Sequence, residues 1–238
     1  MRPFIRIASP VALMLACIAM AAAAQRHETR AVSGYHAVAL SAPIKLELVQ
    51  GDTESLTLDG DEAALAEIET VVEDGSLKIR NRDHSWFAGP DMSRVVAHVS
   101  AKAIDALSSA GSGDIRAASL NTKDLKVSIA GSGDVRIETL AANDLHVSIA
   151  GSGNLQVAGK ADVVHTSIAG SGDMKAGKLD SRDSSVSIAG SGDAILWARD
   201  SIHVSIMGSG DVRYFGDPSV NKSVLGSGSV KRMAAAPS

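Results

Sequence analysis

Residues 128–134 read "SIAGSGD", and the phrase returns as "SIAGSGN" at 148–154 and as "SIAGSGD" at 167–173 and 187–193. Its "GSG" begins at Gly111, Gly131, Gly151, Gly170, Gly190, Gly208 and Gly226, at intervals of 20, 20, 19, 20, 18 and 18 residues. Self-similarity at a period of this size marks a solenoid, in which each unit stacks on the one before. A glycine-rich phrase is also what a phosphate loop or a calcium repeat would show, so the residues around it have to decide.

Counting back from each first glycine separates two kinds of position. Two residues before it stand Ser109, Ile129, Ile149, Ile168, Ile188, Ile206 and Val224; four before it stand Leu107, Val127, Val147, Thr166, Val186, Val204 and Lys222. Six before it come Leu125, Leu145, Val164, Ile202 and Val220, with Asp105 and Ser184 as exceptions. Alternate branched apolar residues are the signal of a strand with one buried face. The alternation resumes beyond the corner, at Ile115, Val135, Leu155, Met174, Ala194, Val212 and Val230, and again two residues later at Ala117, Ile137, Val157, Ala176, Leu196, Tyr214 and Arg232. A strand therefore enters each glycine corner and another leaves it. Polar turns such as "TLAAND" and "KLDSRDS" carry the chain to the next coil.

Coils of this length stacked on like coils form an all-β, parallel β-helix, with equivalent residues about 4.8 Å apart. Right-handed winding follows from the general preference of parallel crossovers. Lys222 and Arg232 interrupt inward columns in the final coil, as expected where no further coil covers them. The sequence divides into a leader at 1–24, a β-rich capping region at 25–104, the seven GSG coils at 105–232 and a tail at 233–238. Within the capping region, strands are expected at 44–49, 55–58, 76–80 and 95–99, with a short helix at 61–68.

The leader has the pattern of a signal peptide: Arg2 and Arg6, an apolar run from Val11 to Ala24, and small residues at Ala22 and Ala24. Gln25 is the expected mature N-terminus, which makes the protein periplasmic, outer-surface or extracellular. The apolar run is too short for a membrane span, and "MLAC" before Cys17 is a poor lipoprotein signal. Cleavage removes the single cysteine, so packing and not disulfides must hold the fold. The 23 Lys and Arg less Arg2 and Arg6 leave 21 against 27 acidic residues, a net charge of −6. That balance disfavours nucleic acid and anionic membranes as partners.

Three stretches together resemble the DUF2807 family, the auto-transporter adhesin head domain also called the GIN domain. They are "VSGYHAVALSAPIKLELVQGD", "VVEDGSLKIRNR" and the serial "SIAGSGD" corners. The resemblance covers nearly all of the mature chain. It implies a β-helical extracytoplasmic protein without established catalytic residues, with adhesion or envelope interaction as its role. An auto-transporter's C-terminal membrane barrel needs strands of about ten residues, whereas here the repeat runs to Val230 and "KRMAAAPS" follows.

Chemistry is scarcer. "GDMKAGKL" at 172–179 fits a phosphate loop except that Leu179 stands where a magnesium-binding hydroxyl belongs. The calcium nonapeptide places its Asp differently and has half this period. Even so, Asp114, Asp134, Asn154, Asp173, Asp193, Asp211 and Ser229 fall at one corner position. Carboxylates 4.8 Å apart repel by about 0.9 kcal/mol in water and about 3.5 at an effective dielectric of 20. The five Asp residues must stay solvated, accept hydrogen bonds from turn amides, or hold a cation such as Ca²⁺.

Three residues before each GSG stands a serine, in order Ser108, Ser128, Ser148, Ser167, Ser187, Ser205 and Ser223. This outward hydroxyl ladder is a candidate surface for a repetitive polymer or a cell-surface protein. Next to it, Lys126, His146, His165, Ser185, His203 and Asn221 form a second column, where His146 and His165 could share a transition metal. Trp86 and Phe87, in the "NRDHSWFAGPDMS" loop at 81–93, are a further candidate contact. No nucleophile elbow, HExxH or CxxC motif is present. The leading expectation is a secreted, non-enzymatic β-helix protein that acts in adhesion or envelope interaction; the alternative is a carbohydrate-active β-helix enzyme or glycan-binding protein.

Overall fold

The computed structural model describes residues 25–82 and 90–234. The leader with Cys17, and the pair Trp86 and Phe87, lie outside the described residues. The chain is all-β: a β-solenoid of about 6 turns from residue 106 onward, preceded by a mixed β-sheet region.

The N-terminal region contains β1 (Gln25–Arg30), β2 (Ala37–Ser41), β3 (Lys45–Gln50), β4 (Ser55–Asp61), the short helix α1 (Glu62–Ala66), β5 (Ile68–Glu73), β6 (Ser76–Asn81) and β7 (Val96–Ala101). The repeats follow as β8 (Ala106–Gly111), β9 (Asp114–Asn121) and β10 (Asp124–Gly131). Long bent ribbons come next: β11 (Val135–Gly151), β12 (Leu155–Gly170), β13 (Met174–Gly190) and β14 (Ala194–Gly208). The chain closes with β15 (Asp211–Phe215), β16 (Ser219–Gly226) and β17 (Ser229–Arg232).

Parallel pairing builds two long stacks, one on each side of the glycine corners. The strands that enter corners run β6, β2, β8, β10, then the ends of β11 to β14, then β16. The strands that leave corners run β7, β3, β9, then the starts of β11 to β14, then β15 and β17. The register between β10 and β11 pairs Ile129 with Ile149 and Gly131 with Gly151. The columns counted in the sequence are therefore physical columns, and Ile129, Ile149, Ile168, Ile188 and Ile206 are all buried. Each such side chain contributes about 2 kcal/mol by leaving water.

The stack extends below the first GSG. Val38 of β2 lies under Leu107, and Leu46 of β3 lies under Ile115. β2 and β3 thus make a coil whose corner is "SAPI", and the Asp114 amide donates to Ile44 O across 3.0 Å. β6 and β7, which come later in the chain, pair beneath that coil. Antiparallel strands then finish the end, with β4 on β7, β1 on β4 and β5 on β6. Arg30 secures this cap by donating to Leu65 O at 3.2 Å, in the last turn of α1, and to Ile68 O at 3.3 Å, at the start of β5. The Tyr35 hydroxyl donates to Ser100 O at 2.6 Å. Burial, reinforced by the Glu54 charge, pushes its pKa up to about 12.

Polar residues in the inward columns find partners. Ser109 donates to Gly113 O at 2.8 Å, and Ser184 and Ser181 share a 2.9 Å hydrogen bond. At the other end no coil covers β16, which is exposed throughout; Lys222 is exposed and Arg232 pairs with Asp217 at 2.9 Å. A charged edge of this kind resists pairing with further strands.

The two glycines of each corner do separate jobs. The first takes φ between +95° and +136°, a region that L side chains avoid. Its carbonyl also serves the next coil, for Ser132 and Gly133 donate their N–H groups to Gly111 O at 2.8 and 3.1 Å. Ser152 and Gly153 repeat this on Gly131 O at 2.8 and 3.0 Å. The second glycine is needed for closeness: a Cβ on Gly153 would overlap the Gly133 carbonyl oxygen and the Ile129 side chain. Gly153→Ala should therefore cost about 3 kcal/mol in a urea melt, because rigid backbone must shift. Gly51→Ala, whose Cβ would meet only Ser100 Oγ at 3.7 Å, should stay within about 0.5 kcal/mol.

Candidate functional site

Three outward surfaces carry the polar chemistry. The first is the Asp corner. Asp134 N–H donates to Asp114 Oδ1 at 3.0 Å, Asn154 N–H to Asp134 Oδ1 at 3.0 Å, and Asp173 N–H to Asn154 Oδ1 at 3.1 Å. The ladder continues from Asp193 to Asp173 at 3.0 Å, from Asp211 to Asp193 at 2.8 Å and from Ser229 to Asp211 at 2.9 Å. Each bond crosses to the next coil, where a turn within one coil was the sequence expectation. A side-chain oxygen thus replaces the carbonyl that a regular strand would offer at the corner, and the stacked amides stay satisfied.

Asn154 fits because its Oδ1 accepts in the same way, and its Nδ2 donates to Asp134 Oδ1 at 2.8 Å. At the last step the Ser229 hydroxyl joins at 2.8 Å. This hydroxyl first, then the Ser229 amide, holds the Asp211 carboxyl below its ordinary range.

A basic column runs beside the carboxylates, and sequence reasoning missed it. Arg116, Arg136, Gln156, Lys175, Ile195, Arg213 and Lys231 are in register two residues beyond the Asp positions. The signal was legible in "GDIR", "GDVR" and "GDMK". Arg213 reaches Asp193 Oδ2 at 3.3 Å. Five cations alongside five carboxylates offset the repulsion within the Asp ladder. Between the columns lies an open groove of about 180 Å³, touched by Asp114, Asp134, Arg116, Arg136 and Lys175.

The second surface is the serine face. Ser108, Ser128, Ser148, Ser167, Ser187, Ser205 and Ser223 pair directly from coil to coil. Lys126, His146, His165, Ser185, His203 and Asn221 form the adjoining column. The His146 and His165 rings stack with centroids 5.0 Å apart and planes 14° from parallel. Parallel rings send their nitrogens sideways, so this pair does not converge on one ion. It walls an open trough of about 240 Å³ together with Lys126, Ser148, Ser167 and Ser185. Small exposed Ala130, Ala150, Ala169 and Ala189 continue the flat face toward the corner, until Met207 and Leu225 replace alanine in the last two coils.

The third surface is on the capping sheet and was not readable in advance, because it depends on antiparallel pairing between distant strands. His27 Nδ1 lies 2.6 Å from Asp59 Oδ1, His98 Nε2 lies 3.1 Å from Asp59 Oδ2, and His98 Nδ1 lies 3.2 Å from Glu47 Oε2. Among the described residues, no group of three or more His, Cys, Asp or Glu side chains is placed to hold a metal ion.

Comparison with known proteins agrees with this architecture. The DUF2807 family, described as "Putative auto-transporter adhesin, head GIN domain", matches residues 34–218. A solved structure of a putative adhesin from Bacteroides fragilis superposes with a TM-score of 0.84 at 22% identity, covering 88% of this chain and 97% of that one. A putative lipid binding protein from Parabacteroides distasonis gives 0.70 at 26% identity, covering 88% and 96%. A putative adhesin from Parabacteroides merdae gives 0.66 at 18%, with the same coverage as the second. No curated protein matches the chain.

Three substitutions test the corner chemistry. Asp173→Asn should melt close to the parent, since Asn154 already plays that part, while Asp173→Ala should lose about 1 kcal/mol with the acceptor. Ser229→Ala should raise the Asp211 titration back toward the ordinary carboxylate range, as followed by NMR.

Proposed function

We propose that this chain, which belongs to the DUF2807 family, binds an extended envelope polymer along its serine and histidine face and performs no chemistry on it. The observation that carries the reading is the trough between the stacked His146 and His165 and the hydroxyls of Ser148 and Ser167. A polymer with a regular repeat meets the same donors and acceptors coil after coil, so weak contacts add along its length. Hydroxyls and imidazoles suit the polar edges of a glycan, and Lys126 at one end favours acidic sugars.

The family has no known enzymatic activity. A hydrolase or lyase would need converging acid and base groups. Here the Asp carboxylates accept backbone amides, and the histidines lie on an exposed flat face. A lipid-binding role, as in the name of one structural neighbour, would need an apolar cavity, whereas the inward columns are occupied by buried side chains.

Adhesin-like membership suggests an exported or cell-surface protein. The pattern of residues 1–24 adds cleavage before Gln25.

A glycan array run with a parallel lyase assay tests this function. The mature protein should be retained by one class of polysaccharide and leave it intact. His146→Ala with His165→Ala should weaken retention about tenfold, a loss of about 1.4 kcal/mol, at an unchanged melting temperature. Retention on no polymer, equal retention by the variant, or turnover would overturn the reading.

A further inference from the structure

The first residues of β1 read Gln25, Arg26, His27. If cleavage leaves a free amine on Gln25, four nitrogens fall within reach of one another: that amine, the amides of Arg26 and His27, and His27 Nδ1. They can close around one ion in a plane through fused chelate rings, because no proline interrupts and the imidazole is in the third position. Four nitrogens in a plane are the preferred environment of Cu(II) and Ni(II).

We propose that the processed N-terminus is a square-planar Cu(II) or Ni(II) site, built from Gln25, Arg26 and His27. The inference rests on the cleavage reading given above, and it is independent of the serine face.

Three observations carry it beyond the motif. First, among the described residues β1 pairs with β4 alone, and the His27 side chain is 68% exposed. Second, the imidazole nitrogen that the chelate requires, Nδ1, is the one turned toward Asp59 Oδ1 at 2.6 Å. Asp59 also faces His98 Nε2 at 3.1 Å, so a carboxylate stands beside the imidazole and attracts an incoming cation before the amide protons leave. Third, the far end of the strand is tied down independently, through Arg30 to Leu65 O and Ile68 O. Residues 25–27 can therefore leave β4 and wrap the metal without releasing β1, since a strand end frays at low cost.

The amine must be unprotonated, and each of the two amides gives up its proton to solvent as its metal–nitrogen bond forms. Nδ1 binds as an unprotonated nitrogen, and any proton it carries passes to solvent. Binding therefore strengthens as pH rises, because protons compete for every ligand.

The experiment has two arms. In the first, mass spectrometry of the exported protein reads its N-terminus; a start at Gln25 with a free amine is expected. A start elsewhere, or a Gln25 cyclised onto its own amine, overturns the site in the natural protein and leaves polymer binding unaffected. In the second, protein beginning at Gln25 is titrated with Cu(II) and with Ni(II). The visible absorption of a planar four-nitrogen complex should saturate at one equivalent.

His27→Ala, or one glycine added before Gln25, should abolish that band while the β-sheet circular dichroism is kept. His146→Ala with His165→Ala should retain it. No band in the parent, or an equal band in His27→Ala or in the extended protein, would overturn the proposal.

Discussion

The fold depends on how one glycine corner sits on the next. Five of the seven first-glycine carbonyls take two N–H groups from the coil above, as Gly111 O does from Ser132 and Gly133, and Gly190 O takes one, from Ser209. Two donors converge on one oxygen only if the backbones approach so closely that neither corner can carry a Cβ. The glycines are therefore fixed by contact between coils as much as by their own φ. Once a corner is pinned, the strands on either side are in register, and a register that never slips keeps isoleucine over isoleucine. The hydrophobic column is in this sense a consequence of the corner.

The aspartates complete the same constraint. A tight corner turns amides away from the strand ladder, and a buried or half-buried amide without an acceptor is expensive. Asp supplies the missing acceptor from the coil below, and Asn154 does so without the charge. The cost is a line of like charges, offset by the Arg and Lys column two residues further on. The letters "GSGD" build, at the atomic level, an amide-capping ladder with its own counter-charges.

Much of this was legible in the sequence because the solenoid is a local code repeated. Counting from Gly131 or Gly190 gives the strand, its inward face and the corner, and the expected strands at 44–49, 55–58, 76–80 and 95–99 correspond to β3, β4, β6 and β7. The expected helix at 61–68 shrinks to α1, which ends at Ala66. Illegible were the features set by contacts between distant segments. β2 and β3 form a coil with "SAPI" in place of GSG, so no repeat signal marks it. β6 pairs beneath a coil made earlier in the chain, and β1 finds β4 across the cap. The cluster of His27, Asp59, His98 and Glu47 exists only because of that pairing. The basic column is a different case: it was present in the repeat and needed only one more count.

The most direct measurement of the central claim is amide hydrogen exchange at the corners. Ser132, Gly133, Asp134 and Asp173 lie at turns that an isolated loop would leave open to water, yet each amide is bonded to the coil below. The account predicts that these amides exchange as slowly as those of Ile129 and Ile168 in the strands beside them. Exchange at the rate of the exposed turn around Asp52 would show that the corners are not what holds the coils in register, and would contradict it.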